Sequence, residues 1–187
     1  MPETPLRVAF CHYTSDVCGG SDRSLFDYVT HLDRNLITPF MILRTGDPLA
    51  EEYRKTGCAV AEIPFVPPRK ALDPIKLARF FLFFPPHVFQ TRRWLRQWKI
   101  DVVHVNTSNN LQGAVAARLA GCPLVWHVRE MSGDGAVGRV MRGLVARLAH
   151  VVMTCSDAVS ASLPTCGDRV HTVYDGIDLS EYPEPAD

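Results

Sequence analysis

The sequence predicts an α/β fold with a doubly wound parallel sheet, on three observations. Short apolar runs rich in β-branched residues alternate with stretches of helical periodicity along the whole chain. The first such run, Leu6 to Cys11, leads through a glycine turn into a helix. Polar residues gather just after the runs, where an open parallel sheet holds its ligands.

The totals bound the reading. At 187 residues with 47% hydrophobic side chains, the chain has material for one domain and one core. Twenty basic and twenty acidic residues cancel, so no whole-molecule field draws it to nucleic acid or to a membrane. No nucleic-acid partner is expected, and any attraction must be local. Cys11, Cys18, Cys58, Cys122, Cys155 and Cys166 form no C-x-x-C pair, which predicts reduced thiols and a cytoplasmic setting. Met1 to Pro5 carry no basic segment leading into an apolar core, so no secretory signal is expected, and no run is long enough to span a bilayer.

Leu6 to Cys11 is continuous in apolar character and reads as a buried strand. Cys18-Gly19-Gly20 then make a bend that suits glycine, and Ser21 is placed to cap the following helix. Asp22 suits the positive end of that helix, and Leu25, Val29 and Leu32 recur on one face. A turn without side chains at a helix N-terminus offers free N–H groups to an anion, which points to a phosphate-bearing ligand. The bland alternative is a tight strand-to-helix connection that binds nothing.

Ile37 to Leu43 reads as the second strand, and a helix from Gly46-Asp47-Pro48 through Lys55 stops at Gly57. Cys58 to Ile63 is the third strand. Arg69 to Lys99 then carries eight basic residues against one acid, Asp73, a local charge of +7 in a chain of net charge zero. Nine large apolar residues, six of them Phe80, Phe81, Phe83, Phe84, Phe89 and Trp94, are woven through it, and Pro85-Pro86 divide it into two helical pieces. Basic and aromatic together suggest a surface for an anionic membrane, with Arg69, Lys70, Arg79, Arg92, Arg93 and Arg96 facing it. The alternative is that the aromatics pack on the sheet while the arginines cover the outside.

Asp101 to Asn106 is the fourth strand, followed by a polar turn and a helix that stops at Gly121. Pro123 to Val128 is the fifth, ending in Arg129-Glu130. Val140 to Leu148 mark a helix, Val151 to Met153 a sixth strand, Ser156 the cap of a short helix to Leu163, and Arg169 to Val173 a seventh strand. The polar, proline-bearing text beyond reads as the start of a linker.

The rim after the strands collects His12, Gly19 and Gly20, Asn106, Thr107 and Ser108, His127 to Glu130, and Ser156. Hydroxyls, amides, an imidazole and a guanidinium on one edge suit a polyol or a phosphate. Ser156 lacks a G-x-S-x-G elbow and the histidines show no metal spacing. A dehydrogenase is excluded in detail: G-x-G-x-x-G is missing, and Arg44 stands where an acid should close the second strand. His127 stands out among the histidines because it ends a strand beside Arg129 and Glu130. Alternation points it away from Trp126 and Val128, so it reaches a cleft only if the strand ends or twists there.

Five segments resemble glycosyltransferase family 4: Val8 to Tyr28 with Gly19-Gly20-Ser21-Asp22-Arg23, Asp101 to His104, Trp126 to Glu130, Cys155-Ser156-Asp157, and Val173 to Asp178. Asp175 departs from the family's pattern, which has Asn there. The resemblance implies the amino-terminal, acceptor-side half of a GT-B enzyme: a Rossmann-like domain over 1–173, the start of an interdomain linker over 174–187, and a carboxyl-terminal donor domain with its E-x7-E signature absent. It also implies a retaining hexosyltransferase without metal or other cofactor, moving sugar from a nucleotide-sugar donor to a saccharide or lipid-linked acceptor; the basic segment adds the expectation of a cytoplasmic protein peripheral at the inner face of the membrane. By the resemblance Gly19, Gly20 and Ser21 approach the donor phosphate, and His127 is the catalytic candidate that bonds the donor sugar. His12, Asn106, Thr107, Ser108, Arg129, Glu130 and Ser156 form the sugar or acceptor rim. A non-catalytic Rossmann-like binding domain or subunit that needs a partner chain is the alternative.

Overall fold

The computed structural model describes residues 4–14, 18–65, 74–131, 133 and 135–176, except the side chains of residues 74–77 and 79. Seven strands form one sheet: β1 (Leu6–Cys11), β2 (Ile37–Arg44), β3 (Ala59–Ile63), β4 (Val102–Asn106), β5 (Leu124–Val128), β6 (Val151–Thr154) and β7 (Val170–Thr172). All pair in parallel, in the order β3-β2-β1-β4-β5-β6-β7. This is the Rossmann-like doubly wound sheet that the alternation predicts.

Right-handed crossovers decide where the helices lie. The chain winds outward from β1 to β3, then returns to β4 and winds the other way. Helices α1 (Gly20–Thr30) and α2 (Ala50–Lys55) therefore cover one face, packing Leu25, Val29 and Tyr53 on Phe10, Met41 and Leu43. Helices α3 (Pro74–Gln97), α4 (Leu111–Ala120), α5 (Ala136–Leu148) and α6 (Asp157–Ala161) cover the other, where Val88, Leu95, Ala117, Val145 and Val159 meet Val103, Val105, Trp126 and Val152. The winding reverses between β1 and β4, so a crevice opens outside their carboxyl ends. It also leaves β5 to β7 without a covering helix on the α1 side, among the described residues.

Several boundaries differ from the sequence reading, each for a physical reason. Ser21 does not cap α1: the cap is Gly19, extended at φ −104° and ψ 179°, whose N–H donates to the Asp22 carboxylate at 2.6 Å. The bend does not require glycine either. Neither Gly19 nor Gly20 has a positive φ, and an added Cβ would meet nothing within 4 Å at Gly20 and only Asp22 Oδ2, at 3.5 Å, at Gly19. Pro85-Pro86 do not divide the basic segment, for α3 runs through them as one helix. The prolines are exposed, as are Phe81 and Leu82, whose carbonyls lose their partners, so the freed groups face water. The second helix begins at Ala50, because Asp47 Oδ1 accepts the Leu49 N–H at 3.0 Å and Gly46 turns at φ +73°. α5 begins at Ala136, a turn earlier than its apolar spacing suggests.

Where α4 approaches the sheet, the space is closed to side chains. A Cβ on Gly113 would lie 2.8 Å from Cys11 Cβ and 3.1 Å from Val105 Cγ2. Gly113→Ala is therefore expected to destabilise the fold by about 1–3 kcal/mol in denaturant unfolding, despite the gain in helix propensity.

Candidate functional site

At the reversal point the polar side chains of five elements and their ends join in one chain of hydrogen bonds. Arg129, just after β5, has a side chain only 7% exposed and carries donors alone. Its Nε donates to Asn106 Oδ1 at 2.8 Å, and its Nη1 to Ser24 Oγ at 3.0 Å and to both Asp175 carboxylate oxygens at 2.7 and 2.9 Å. The Asn106 oxygen is thereby fixed, so its Nδ2 donates to His12 Nδ1 at 3.0 Å. His12 Nδ1 must then be the acceptor, and its Nε2–H faces Asp22 Oδ1 at 2.6 Å. Burial would raise the Asp22 carboxyl, but the bonds from His12 and the Gly19 N–H, with Arg129 beyond, outweigh it and hold the group below the ordinary aspartate range.

The turn after β4 is held as firmly. Thr107 takes φ +69°, an unfavourable conformation for a β-branched residue. It is kept there by its N–H donating to the His127 carbonyl at 2.9 Å and by Trp126 Nε1–H donating to its own carbonyl at 2.9 Å. Glu130 Oε1 then accepts from the Ser108 N–H at 3.0 Å and its hydroxyl at 2.5 Å. Ser156 caps α6 by accepting from the Val159 N–H, as the sequence predicts.

Beside this chain lies a cavity of about 570 Å³ between α1 and the segment after β7. Ser24, Tyr28, His127, Arg129, Met153 and Asp175 are among its lining residues. His127 enters it because Trp126 and Val128 fill the core under α3 to α5, and alternation turns the imidazole to the face that no described helix covers. The ring is 4% exposed and its Nε2 has no partner. Behind it, 5.5 Å away edge to face, stands His104, whose Nε2 is also unpartnered. Burial first, then neighbouring charges including Arg129, lowers His127 to about 4 and His104 to about 3, so both rings are neutral at pH 7.

The structure thus brings His12, Asn106, Ser21, Arg129 and His127 together; the Ser21 carbonyl lies 3.5 Å from Asn106 Nδ2. Ser108 and Glu130 bind each other, and Gly19 and Gly20 lie exposed at the start of α1. Ser24, His104 and Asp175 belong to the site and were missed by the sequence reading. Ser24 shares the cavity side of α1 with Tyr28, four residues on, but nothing local marks Asp175 as the partner of a residue 46 positions away. Of the basic candidates, Arg69 and Lys70 lie outside the described residues, as does the Arg79 side chain. Arg92 is tied down, its Nε donating to the Leu119 carbonyl at 2.9 Å, while Arg93 and Arg96 are exposed. Among the described residues no three His, Cys, Asp or Glu side chains gather to hold a metal ion, and no helix is long and apolar enough to cross a membrane.

The two imidazoles set a pH dependence. Unfolded, each titrates near the ordinary 6.5; folded, each stays neutral to about 4 or below. Their stabilising effect is complete above pH 6.5 and is lost as pH falls toward 4, because the unfolded chain binds the extra protons. Unfolding free energy should fall by about 1 kcal/mol per pH unit per imidazole between about pH 6 and 5. Denaturant titrations of His127→Gln should show the shallower slope.

No curated protein sequence matches the chain. Among solved structures, HepE from Anabaena, in complex with UDP and glucose, is similar with a TM-score of 0.71 and 20% identity over 95% of this chain and 46% of its own. A glycosyltransferase from Rickettsia africae has a TM-score of 0.67 and 12% identity, covering 94% of this chain and 44% of its own. MurG from Acinetobacter baumannii has a TM-score of 0.65 and 17% identity, covering 96% and 48%. The chain therefore spans less than half the length of each, and the likeness is that of a GT-B sheet. A family model, Glycosyltransferase Family 4, matches residues 18–181, from the glycine turn past the last strand. The chain belongs to glycosyltransferase family 4.

Proposed function

We propose that this chain supplies the amino-terminal, acceptor-side wall of a retaining glycosyltransferase that moves a hexosyl group from a nucleotide sugar to a saccharide or lipid-linked acceptor. One observation carries the reading: His127, buried beside Arg129 with an unpartnered Nε2, lines a cavity next to the reversal point of the sheet. A buried polar atom without a partner costs about 1–3 kcal/mol, and a sugar hydroxyl would remove that cost. Being neutral at pH 7, His127 bonds a hydroxyl without transferring a proton. This suits a front-face reaction in which the leaving diphosphate takes the acceptor proton, with no metal or other cofactor.

Gly19 and Gly20 fit the same reading. Neither the turn nor the packing requires glycine there, so the absent side chains are explained by close approach of the donor phosphates to the start of α1. Residues 1–173 form this wall and 174–187 begin the linker to a donor domain. That the HepE complex holds UDP makes uridine diphosphate sugars the first donors to try. The transfer takes place at the cytoplasmic face of the membrane.

In the complete two-domain enzyme, His127→Ala should lower kcat/KM at least about tenfold with little change in melting temperature. Unchanged kinetics, or a variant that does not fold, would make the ring a packing residue. The 187-residue chain alone, given donor and acceptor, should form no glycoside, since it holds one wall of the cleft.

A further inference from the structure

We propose that Ser24 and Tyr28 of α1 join His127 in holding one uncharged hexose ring, and that the ion pair of Arg129 with Asp175 makes the site refuse sugars that carry an acidic group. Unused hydrogen-bonding groups carry the first part. Arg129 has only donors, so Ser24 Oγ accepts its Nη1–H at 3.0 Å. The Ser24 hydroxyl proton is therefore left to donate, and it meets no acceptor among the described residues. The Tyr28 hydroxyl likewise makes no hydrogen bond among them, and burial holds its titration above the ordinary tyrosine range, so it stays a neutral phenol. Tyr28 is fixed in place, its ring lying against Phe10 at 6.0 Å and His104 at 6.1 Å. Ser24 and Tyr28 stand one turn apart on one face of α1, and both line the cavity with His127, whose Nε2 is unpartnered. A hexose hydroxyl both gives and takes a hydrogen bond, so one ring can serve all three groups. About 570 Å³ is ample for it.

The second part is charge. Among the described lining residues Arg129 is the only lysine or arginine, and both Asp175 oxygens already pair with it at 2.7 and 2.9 Å. Asp27, also on the lining, pairs with Arg23, four residues before it, at 3.2 Å. His31 turns its Nδ1 to the Asp27 carbonyl at 2.8 Å. A carboxylate or phosphate on the ring would thus find the guanidinium occupied and would face Asp175, whose side chain is 39% exposed. Asp175 stands where the family's pattern has Asn. An amide there would leave the charge of Arg129 uncancelled beside the cavity, whereas the carboxylate cancels it. With the transferase reading, on which this step alone rests, the ring is the hexosyl group in transfer and its diphosphate stays outside the cavity.

Titration of the full chain with free sugars tests the site without any transfer assay. The carbon-13 methyl signal of Met153, which lines the cavity, should move saturably with glucose, and glucuronate should bind at least about tenfold more weakly. Ser24→Ala and Tyr28→Phe should each weaken glucose about two- to tenfold, and Ser24→Thr, which keeps a hydroxyl, should restore it. Asp175→Asn should leave glucose bound and bring glucuronate to at least equal affinity. Circular dichroism melts establish that each variant is folded. Tyr28→Phe removes one oxygen and keeps the ring, so it carries the test if Ser24→Ala does not fold. No movement with either sugar, equal affinity of the unaltered chain for both, or undiminished glucose binding by Tyr28→Phe overturns the proposal. So does a complete enzyme in which Tyr28→Phe raises KM for the acceptor and not for the donor. If the charge selection holds while the complete enzyme transfers no hexose, the transferase reading fails and the sugar site stands.

Discussion

Arg129 can only donate hydrogen bonds, and its guanidinium is nearly buried. Every polar choice around it follows from that constraint. A buried cation must find a carboxylate and fill its remaining donors, or it costs several kcal/mol. It takes the carboxylate from Asp175, after the last strand, and donates further to Ser24 on α1 and to Asn106 at the end of β4. Fixing the Asn106 oxygen orients its amide, which sets the acceptor nitrogen of His12, which in turn directs its N–H at Asp22. Asp22 then holds the Gly19 N–H and so the start of α1. One donor-only side chain thus ties the first helix, the two strands at the reversal point and the exit of the chain into one rigid rim.

Topology explains why that rim has chemistry left over. The reversal of winding between β1 and β4 separates α1 from the later helices and leaves the α1 side of β5 to β7 open. Alternation along β5 sends Trp126 and Val128 to the filled face and His127 to the open one. The polar chain satisfies its own members, while His127 and His104 keep unpartnered nitrogens beside a cavity. A bonded polar chain with orphaned imidazoles beside it is prepared to receive hydroxyls.

All seven strands were legible in the sequence, because buried parallel strands are continuous apolar runs and their breaks carry glycine or proline. The positions of His12, Asn106 and Arg129 on one rim followed from the same pattern. What they do there did not, since a hydrogen-bond chain over five elements depends on long-range pairing that no local spacing records. The Ser21 cap failed because Asp22 serves the N-terminus from inside the helix. The Pro85-Pro86 break failed because exposed prolines surrender only carbonyls that water can satisfy.

The direction of the polar chain decides how the rim is ordered, and the protonation of the His12 ring reads it directly. A nitrogen-15 and proton correlation spectrum of the imidazoles at neutral pH should show His12 protonated at Nε2 with a bare Nδ1. A proton on Nδ1 would mean that Asn106 does not donate to His12, and that Arg129 does not set the order of the rim.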